Sequence, residues 1–152
     1  MTTMTTARLP TTVPAALDMT AVHIETHGLM CGEWQSVSNL KKGCAIGTLR
    51  IVCGLPAQWD GFDSVEEQAK ERRKYPKRHR LFMATLKALI SYLGFEYEAS
   101  DGKTFDGGPA VISWSDSHAN GDNGIDPTPE AVVTAFREAA RLARAYPQQY
   151  TP

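Results

Sequence analysis

The sequence is poor in cysteine, in net charge and in long apolar runs, and each shortage excludes a class of protein. Its three cysteines are an odd and sparse set, which predicts reduced thiols in the cytoplasm instead of a secreted disulfide framework. Lys and Arg number 16 against 17 Asp and Glu, so the net charge of -1 provides no overall field for nucleic acid or an anionic membrane. No apolar run approaches the roughly 18 residues that cross a bilayer, so no membrane span is expected.

The first residues, MTTMTTARLPTTVP, lack the basic start and the continuous apolar stretch of a signal peptide. We therefore expect no secretion and a cytoplasmic protein. The length of 152 residues, 42% of them hydrophobic, is ordinary for one globular domain. The predicted organisation is a flexible N-terminal arm over residues 1–13, a single domain over 14–146 and a C-terminal tail over 147–152.

Five segments carry the apolar spacing or the end residues of helices. The first is predicted over 14–27, because Pro14 suits a first turn and Gly28 suits a C-cap. A short, mostly buried helix is predicted to begin at Cys44. The capping-box pattern SVEE begins a polar third helix that Pro76 ends. The segment HRLFMATLKALISYLG is the best core helix, and PTPE opens a last helix with an apolar stripe.

Two runs, FEYEA and PAVISW, are strand-like because they are rich in aromatic and β-branched residues. The turn-forming SDGKTFDGG separates them, which favours a small hairpin. The predicted fold is therefore α+β and mostly helical, with about five helices packed around one core and a short β-hairpin.

Four stretches, GLMCGEW, CAIGTL, VISWSDS and TPEAVVTAFREAARLA, resemble the pattern of an uncharacterised domain family of small bacterial and phage proteins. The resemblance covers most of residues 15 to 145. It implies a phage or mobile-element origin, and it implies no activity, because the family has no known function. The residues that the resemblance implies as a shared set are Gly28, Cys31, Gly32, Cys44, Gly47, Trp114 and Asp116.

The stretch KKGCAIGTLR places Cys44 at the start of the second predicted helix. Backbone N–H groups and the positive end of the helix dipole favour a thiolate there, and two preceding lysines add positive potential. A cysteine hydrolase also needs a base, for which His118 is the candidate, with Asp116 as its orienting group. The alternative, which we favour, is a packed structural thiol, because cysteine is among the most buried residue types. We predict that Cys44 is buried.

His23 and His27 are candidate metal ligands, because they lie four residues apart on the first predicted helix and so can reach one ion. Cys31 and Cys44 would complete a tetrahedral set, but the ligand spacing of common zinc modules is absent. The loop HANGDNGID resembles part of a calcium loop, yet it lacks the first aspartate and the twelfth glutamate of such loops. We therefore expect no metal and no cofactor.

The strongest charge asymmetry is the run KERRKYPKRHR over residues 70–80, in which seven of the eleven residues are Lys or Arg. We predict that Arg72, Arg73, Lys77 and Arg80 lie at the surface, free to meet an acidic protein patch or a phosphate backbone. The candidate binding residues are Arg72, Arg73, Tyr75, Lys77, Arg80 and Trp114. A solvated connection between two helices remains the default interpretation of the run, since the acidic first turn of the third helix weakens the field.

These patterns favour a small intracellular accessory protein, acting by binding a host or viral protein, over an enzyme. A protein partner is favoured over nucleic acid, and no membrane partner is expected. Two alternatives stay open: a hydrolase that uses Cys44 and His118, and a nucleic-acid-binding protein that uses residues 70–80.

Overall fold

The structure, a computed structural model, describes residues 8–29, 43–61, 64–94 and 128–152, and this part of the chain is helical. Its helices are α1 (Val13–His27), α2 (Ala45–Val52), α3 (Val65–Lys74), α4 (Pro76–Leu93) and α5 (Pro129–Ala145). Leu29 and Gly43 form an isolated parallel bridge. None of the described helices combines the length and the apolar character needed to cross a membrane.

The prediction of an α+β fold is wrong for the described residues, which contain five helices and no strand, sheet or hairpin. The two strand-like runs, residues 95–99 and 109–114, lie outside the described residues. Strand propensity is a weak guide because it mainly reports how well a side chain suits a half-buried surface. The described core is formed mainly by the apolar stripes of α1, α2, α4 and α5, and residues outside the helices, among them Leu55, Trp59 and Tyr150, complete it.

Local capping chemistry explains where the helices begin and end. At α1, α3 and α5 a side-chain oxygen accepts the backbone N–H of the third helical residue, and the capping residues are Thr12, Ser64 and Thr128. Gly94 ends α4 with φ of 79°, a left-handed conformation that favours glycine. Helix α4 begins three residues earlier than predicted, because Pro76 serves as its first residue.

Helices α1 and α5 form the largest helix–helix interface, and they run antiparallel. Two ion pairs establish this direction, because Glu25 meets Arg137 while the earlier Asp18 meets the later Arg144. Helices α2 and α4 close the rest of the core. The largest fully buried side chains include Phe82, Phe136, Leu17, Ile24, Ile46, Leu49 and Leu86, together with the cation Arg50. Arg50 is the exception that leads to the candidate site.

One residue, Tyr75, separates α3 from α4. Its backbone has φ of -133° and ψ of 66°, and a proline follows it, which disfavours the helical conformation at this position. Backbone hydrogen bonds continue across the break, from Tyr75 N–H to Glu71 O at 2.7 Å and from His79 N–H to Tyr75 O at 2.8 Å. These hydrogen bonds connect the two helices across the break. Glu71 before it and His79 after it are both buried in the protein interior.

Candidate functional site

A buried ionic network lies where α3 and α4 meet α2. Arg50 donates from Nη1 to Oε2 of Glu71 at 3.2 Å and from Nη2 to Oε1 of the same carboxylate. Nδ1 of His79 lies 2.8 Å from Oε2 of Glu71. The side chains of Arg50, Glu71 and His79 are 1%, 8% and 4% exposed. Three ionisable groups are therefore held together in the protein interior, away from water.

Aromatic rings and a backbone carbonyl enclose the cation of this network. The Arg50 guanidinium carbon lies 4.8 Å from the ring centre of Trp59 and 4.7 Å from that of Phe82. The two rings are perpendicular, with their centres 5.3 Å apart. Arg50 Nε donates to the carbonyl oxygen of Pro56 at 2.7 Å. These contacts replace the water that a buried guanidinium loses, and desolvated cation–π contacts are among the stronger ones.

Burial and the contacts of the network shift the pKa values of Glu71, Arg50 and the nearby Cys53. Burial raises the pKa of the Glu71 carboxyl, but hydrogen bonds from His79 and Arg50, with their charges, outweigh burial and lower it overall. Burial lowers the pKa of Arg50, against the opposing effect of Glu71. Burial raises the pKa of the nearby Cys53 to about 12, so this thiol is not a thiolate near neutral pH. Because an ionised carboxylate only accepts hydrogen bonds, Nδ1 of His79 donates to Glu71.

No local sequence pattern predicted this network, although one signal was present. Arg50 is a lone charge in the apolar helix AIGTLRIV, and an arginine is almost never fully buried unless it is paired. Its partner could not be identified from sequence, because Glu71 belongs to a helix that is polar on most sides and is that helix's one buried residue. His79 lies within the basic run, so nothing in its sequence position distinguished it from the exposed cations around it.

The Lys and Arg residues of the basic run are exposed, as predicted. Four of them, Arg72, Arg73, Lys77 and Arg80, form what we call the basic corner. Tyr75 is half-buried, and Lys74 and Arg78 lie over its ring at 5.4 and 5.8 Å. Its ring is therefore part of the protein's own packing at the edge of the core.

Positive and negative charges are separated at this corner. Glu71 is the second residue of the run, but its carboxylate is turned inward to Arg50 and His79. Within the ranges that the structure describes, none of the four cations of the basic corner forms an ion pair. Lys70, which precedes them, is paired with Glu67 at 3.2 Å. The outer surface therefore carries unbalanced positive charge in a protein with a net charge of -1.

Two cavities flank the first turns of α4 and share Arg80. The His79 cavity has a volume of about 340 Å³, and its walls include Arg72, His79, Arg80, Met83, Ala84 and Lys87. The Leu81 cavity has a volume of about 350 Å³, with cations at Lys77, Arg78 and Arg80 and apolar walls at Leu9, Pro10 and Leu81. Among the described residues that line the two cavities there is no aspartate or glutamate. Both cavities therefore suit anionic ligands.

Cys44 is the N-cap of α2. Its Sγ accepts the backbone N–H of Gly47 at 3.2 Å, and the residue is 5% exposed. The prediction of a buried Cys44 at the start of this helix is confirmed, and its thiol caps the helix. His118 and Asp116 lie outside the described residues, so the catalytic set that includes them stays a prediction.

The histidine pair lies on α1, where the ring centres of His23 and His27 are 4.5 Å apart. Cys31 and the candidate binding residue Trp114 lie outside the described residues. In the part of the chain that the structure covers, no three His, Cys, Asp or Glu side chains come close enough to hold a metal ion. The pair by itself supplies two of the four ligands that a structural zinc site uses.

The fold and the site define a small helical protein with an ionic group in its core and a cationic corner outside it. The chain belongs to a family of unknown function (DUF6197), which matches residues 8–142. This confirms the predicted membership of an uncharacterised family. No curated protein and no solved structure matches the chain. Since the family name assigns no activity, the geometry of the site has to carry any functional proposal.

Proposed function

We propose that this protein is a small accessory protein that binds an acidic segment of a protein partner through the basic corner and the adjoining Leu81 cavity. The observation that carries the proposal is the separation of charge at the corner, where Glu71 is buried and the neighbouring cations are exposed. The resemblance to phage proteins makes a host or viral protein the expected partner.

The basic corner is poorly explained as a device for stability. Cations near the start of a helix oppose its dipole at a cost of about 0.3–1 kcal/mol each, and α4 has no acidic residue in its first turn. Lys77 lies in that turn and forms no ion pair within the described part of the chain. By contrast, Arg78 in the same turn donates to the Gly54 carbonyl oxygen at 3.2 Å and so links α4 to the end of α2. A cation without such a contact is better explained by a ligand.

An acidic protein segment fits the corner better than nucleic acid does. The Leu81 cavity places apolar walls directly beside three cations, which suits a segment that carries both carboxylates and an apolar side chain. A phosphate backbone is bound by an extended basic surface with several phosphate contacts, whereas these cations are confined to the end of α3 and the start of α4. The net charge of -1 also provides no long-range attraction for nucleic acid.

The proposal is tested by fluorescence anisotropy with a labelled peptide that alternates glutamate and leucine, compared with its glutamine counterpart. The wild-type protein is expected to prefer the glutamate peptide. The double variant Arg73→Gln/Lys77→Gln should bind it about tenfold more weakly, because each charge-assisted contact contributes about 1.5–3 kcal/mol when it is well formed and less at an exposed rim.

The matched control is Arg137→Gln/Arg141→Gln, which removes the same charge from exposed positions of α5. It should bind the peptide like the wild type. An equal loss in the control, or no preference for the glutamate peptide, contradicts the proposal. Binding of a DNA or RNA oligonucleotide with a steep loss of affinity between about 50 and 200 mM salt would establish the nucleic-acid alternative in its place.

A further inference from the structure

We propose that the His79 cavity is a binding site for a phosphate monoester. The phosphate is carried either by a phosphorylated side chain of the acidic partner, in which case the inference rests on the proposed function, or by a small molecule. An acidic segment without phosphate would use the basic corner and the Leu81 cavity, so its binding does not require the His79 cavity. The His79 cavity lies beside the Leu81 cavity and has its own set of polar groups.

The charges around the cavity match a group with more than one negative charge. Arg72 comes from the last turn of α3 and Arg80 from the start of α4, so cations face the cavity from two helices. The neutral side chains of Gln149 and Thr151 close the far side. A phosphate monoester carries about -1.5 to -2 at neutral pH and has three acceptor oxygens, whereas a carboxylate carries -1. Arginine is also the side chain that best matches the geometry of phosphate.

His79 supplies the feature that separates phosphate from other anions. His79 is one of the residues that line the cavity, and its side chain is 4% exposed. Since Nδ1 is bonded to Glu71, Nε2 is the ring nitrogen that we assign to the ligand. A neutral ring accepts a hydrogen bond at Nε2 from a singly protonated phosphate, and a protonated ring donates one to the dianion. In both cases one proton lies between the ring and the phosphate. A sulfate ester or an ionised carboxylate has no hydrogen to offer a neutral ring.

The size of the cavity favours an ester over inorganic phosphate. Its volume of about 340 Å³ lies at the lower end of the range of about 300–1,000 Å³ for small-molecule sites. Met83 and Ala84 provide an apolar wall on the same side of α4 as His79 and Lys87. The organic part of the ester would pack there, while the phosphate meets the cations.

The test uses isothermal titration calorimetry on the full chain with phenyl phosphate and with phenyl sulfate, which has the same shape but carries a single charge and no acidic hydrogen. Phenyl phosphate should bind at least tenfold more tightly. Arg72→Gln and Arg80→Gln should each weaken its binding by about tenfold, the size expected for one charge-assisted hydrogen bond. The matched control is Arg141→Gln, which removes the same charge from an exposed position of α5 that does not line the cavity, and it should leave the affinity unchanged.

His79→Gln should also abolish the preference for phosphate over sulfate, but this variant alters the buried network and is informative only if it folds. The exposed variant Arg72→Gln keeps the inference testable in either case. Equal binding of the two esters, or an equal effect of Arg72→Gln and Arg141→Gln, overturns the inference.

Two further peptides distinguish the source of the phosphate and separate this inference from the proposed function. They are the glutamate–leucine peptide and the same peptide with one phosphoserine. A phosphoserine preference that Arg72→Gln abolishes supports a phosphorylated partner, while phenyl phosphate binding without that preference supports a small ligand. If both peptides bind equally and phenyl phosphate does not bind, the inference fails and the proposed function stands. If neither peptide binds but phenyl phosphate does, the proposed function fails and the inference stands.

Discussion

The α1–α5 interface and the α3–α4 corner both carry many charges, but they arrange them in opposite ways. At the α1–α5 interface, Arg137 forms an ion pair with Glu25, and Arg144 forms one with Asp18. More than a third of the surface of each of these four side chains is exposed. At the α3–α4 corner the carboxylate of Glu71 is buried, and the cations around it in sequence remain outside. Charges that are paired at the surface leave that surface neutral. Burying the carboxylate of Glu71 instead leaves the positive charges outside it unbalanced.

The two arrangements also differ in what they contribute to stability. Exposed ion pairs contribute about 0–1 kcal/mol, because solvent screens them and ordering long side chains is costly. A buried pair contributes little by comparison with apolar residues of the same size, but removing one partner leaves an uncompensated charge in the core. The corner is therefore the region where a single substitution should have the greatest effect, and the following predictions proceed from the largest effect to the smallest.

The largest effect is expected for Glu71→Ala, which leaves the Arg50 cation buried without its carboxylate. The free energy of unfolding should fall by about 3–5 kcal/mol, measured by urea denaturation. The double variant Arg50→Met/Glu71→Ala removes both charges and should recover part of this loss. If the double variant is as unstable as the sum of the two single variants, the two side chains are not coupled and the comparison between the regions fails.

A smaller effect is expected for Gly61→Ala, which acts on the network indirectly. A Cβ at this position would lie 2.0 Å from Cε2 of Trp59, so the indole would have to move away from Arg50. Overpacking of this kind costs about 1–3 kcal/mol. The double variant Gly61→Ala/Trp59→Phe lacks the atoms that collide and should show a smaller additional loss than Gly61→Ala causes alone. A fully additive result would mean that Trp59 is not the residue that senses Gly61.

Acid should weaken the corner through Glu71. The pKa of Glu71 is lower in the folded protein than its ordinary value of 4.5, so its contribution is present above about pH 4.5 and is lost as pH falls through the lower folded value. The slope is at most about 1.4 kcal/mol per pH unit for one proton. Denaturation between pH 5 and pH 3 should show a steeper loss in the wild type than in Arg50→Met/Glu71→Ala. Identical slopes would show that Glu71 does not contribute to the acid sensitivity.

The smallest effect is expected on the paired face. Arg137→Gln and Arg144→Gln each remove one exposed ion pair and should lower the free energy of unfolding by less than about 1 kcal/mol. Added salt should reduce even this difference, because exposed pairs are screened. A loss of unfolding free energy comparable to that of Glu71→Ala would mean that the α1–α5 ion pairs contribute as much to stability as the buried network does.

Much of the helical framework was predictable because its determinants are local. The caps Ser64 and Thr128, the glycine that ends α4 and the proline after Tyr75 act within a few residues of their position. Pro76 ends α3 as the sequence predicts, but it also begins α4, which the pattern did not predict. The burial of Cys44 follows from an apolar helix that must face a core. The α+β fold class is wrong for the described residues, whose regular elements are helices, and the two runs predicted as strands lie outside them.

The sequence by itself determined the helices, their apolar faces and the exposure of the basic run, since periodicity and capping depend on neighbours in the chain. Only the tertiary structure decided that Glu71 is turned inward. Its helix is polar on most sides, so no local pattern selects the buried face, and its partner Arg50 lies 21 residues earlier on another helix. The charge of the outer surface depends on that one choice, because a carboxylate that stayed outside would have neutralised part of the basic corner.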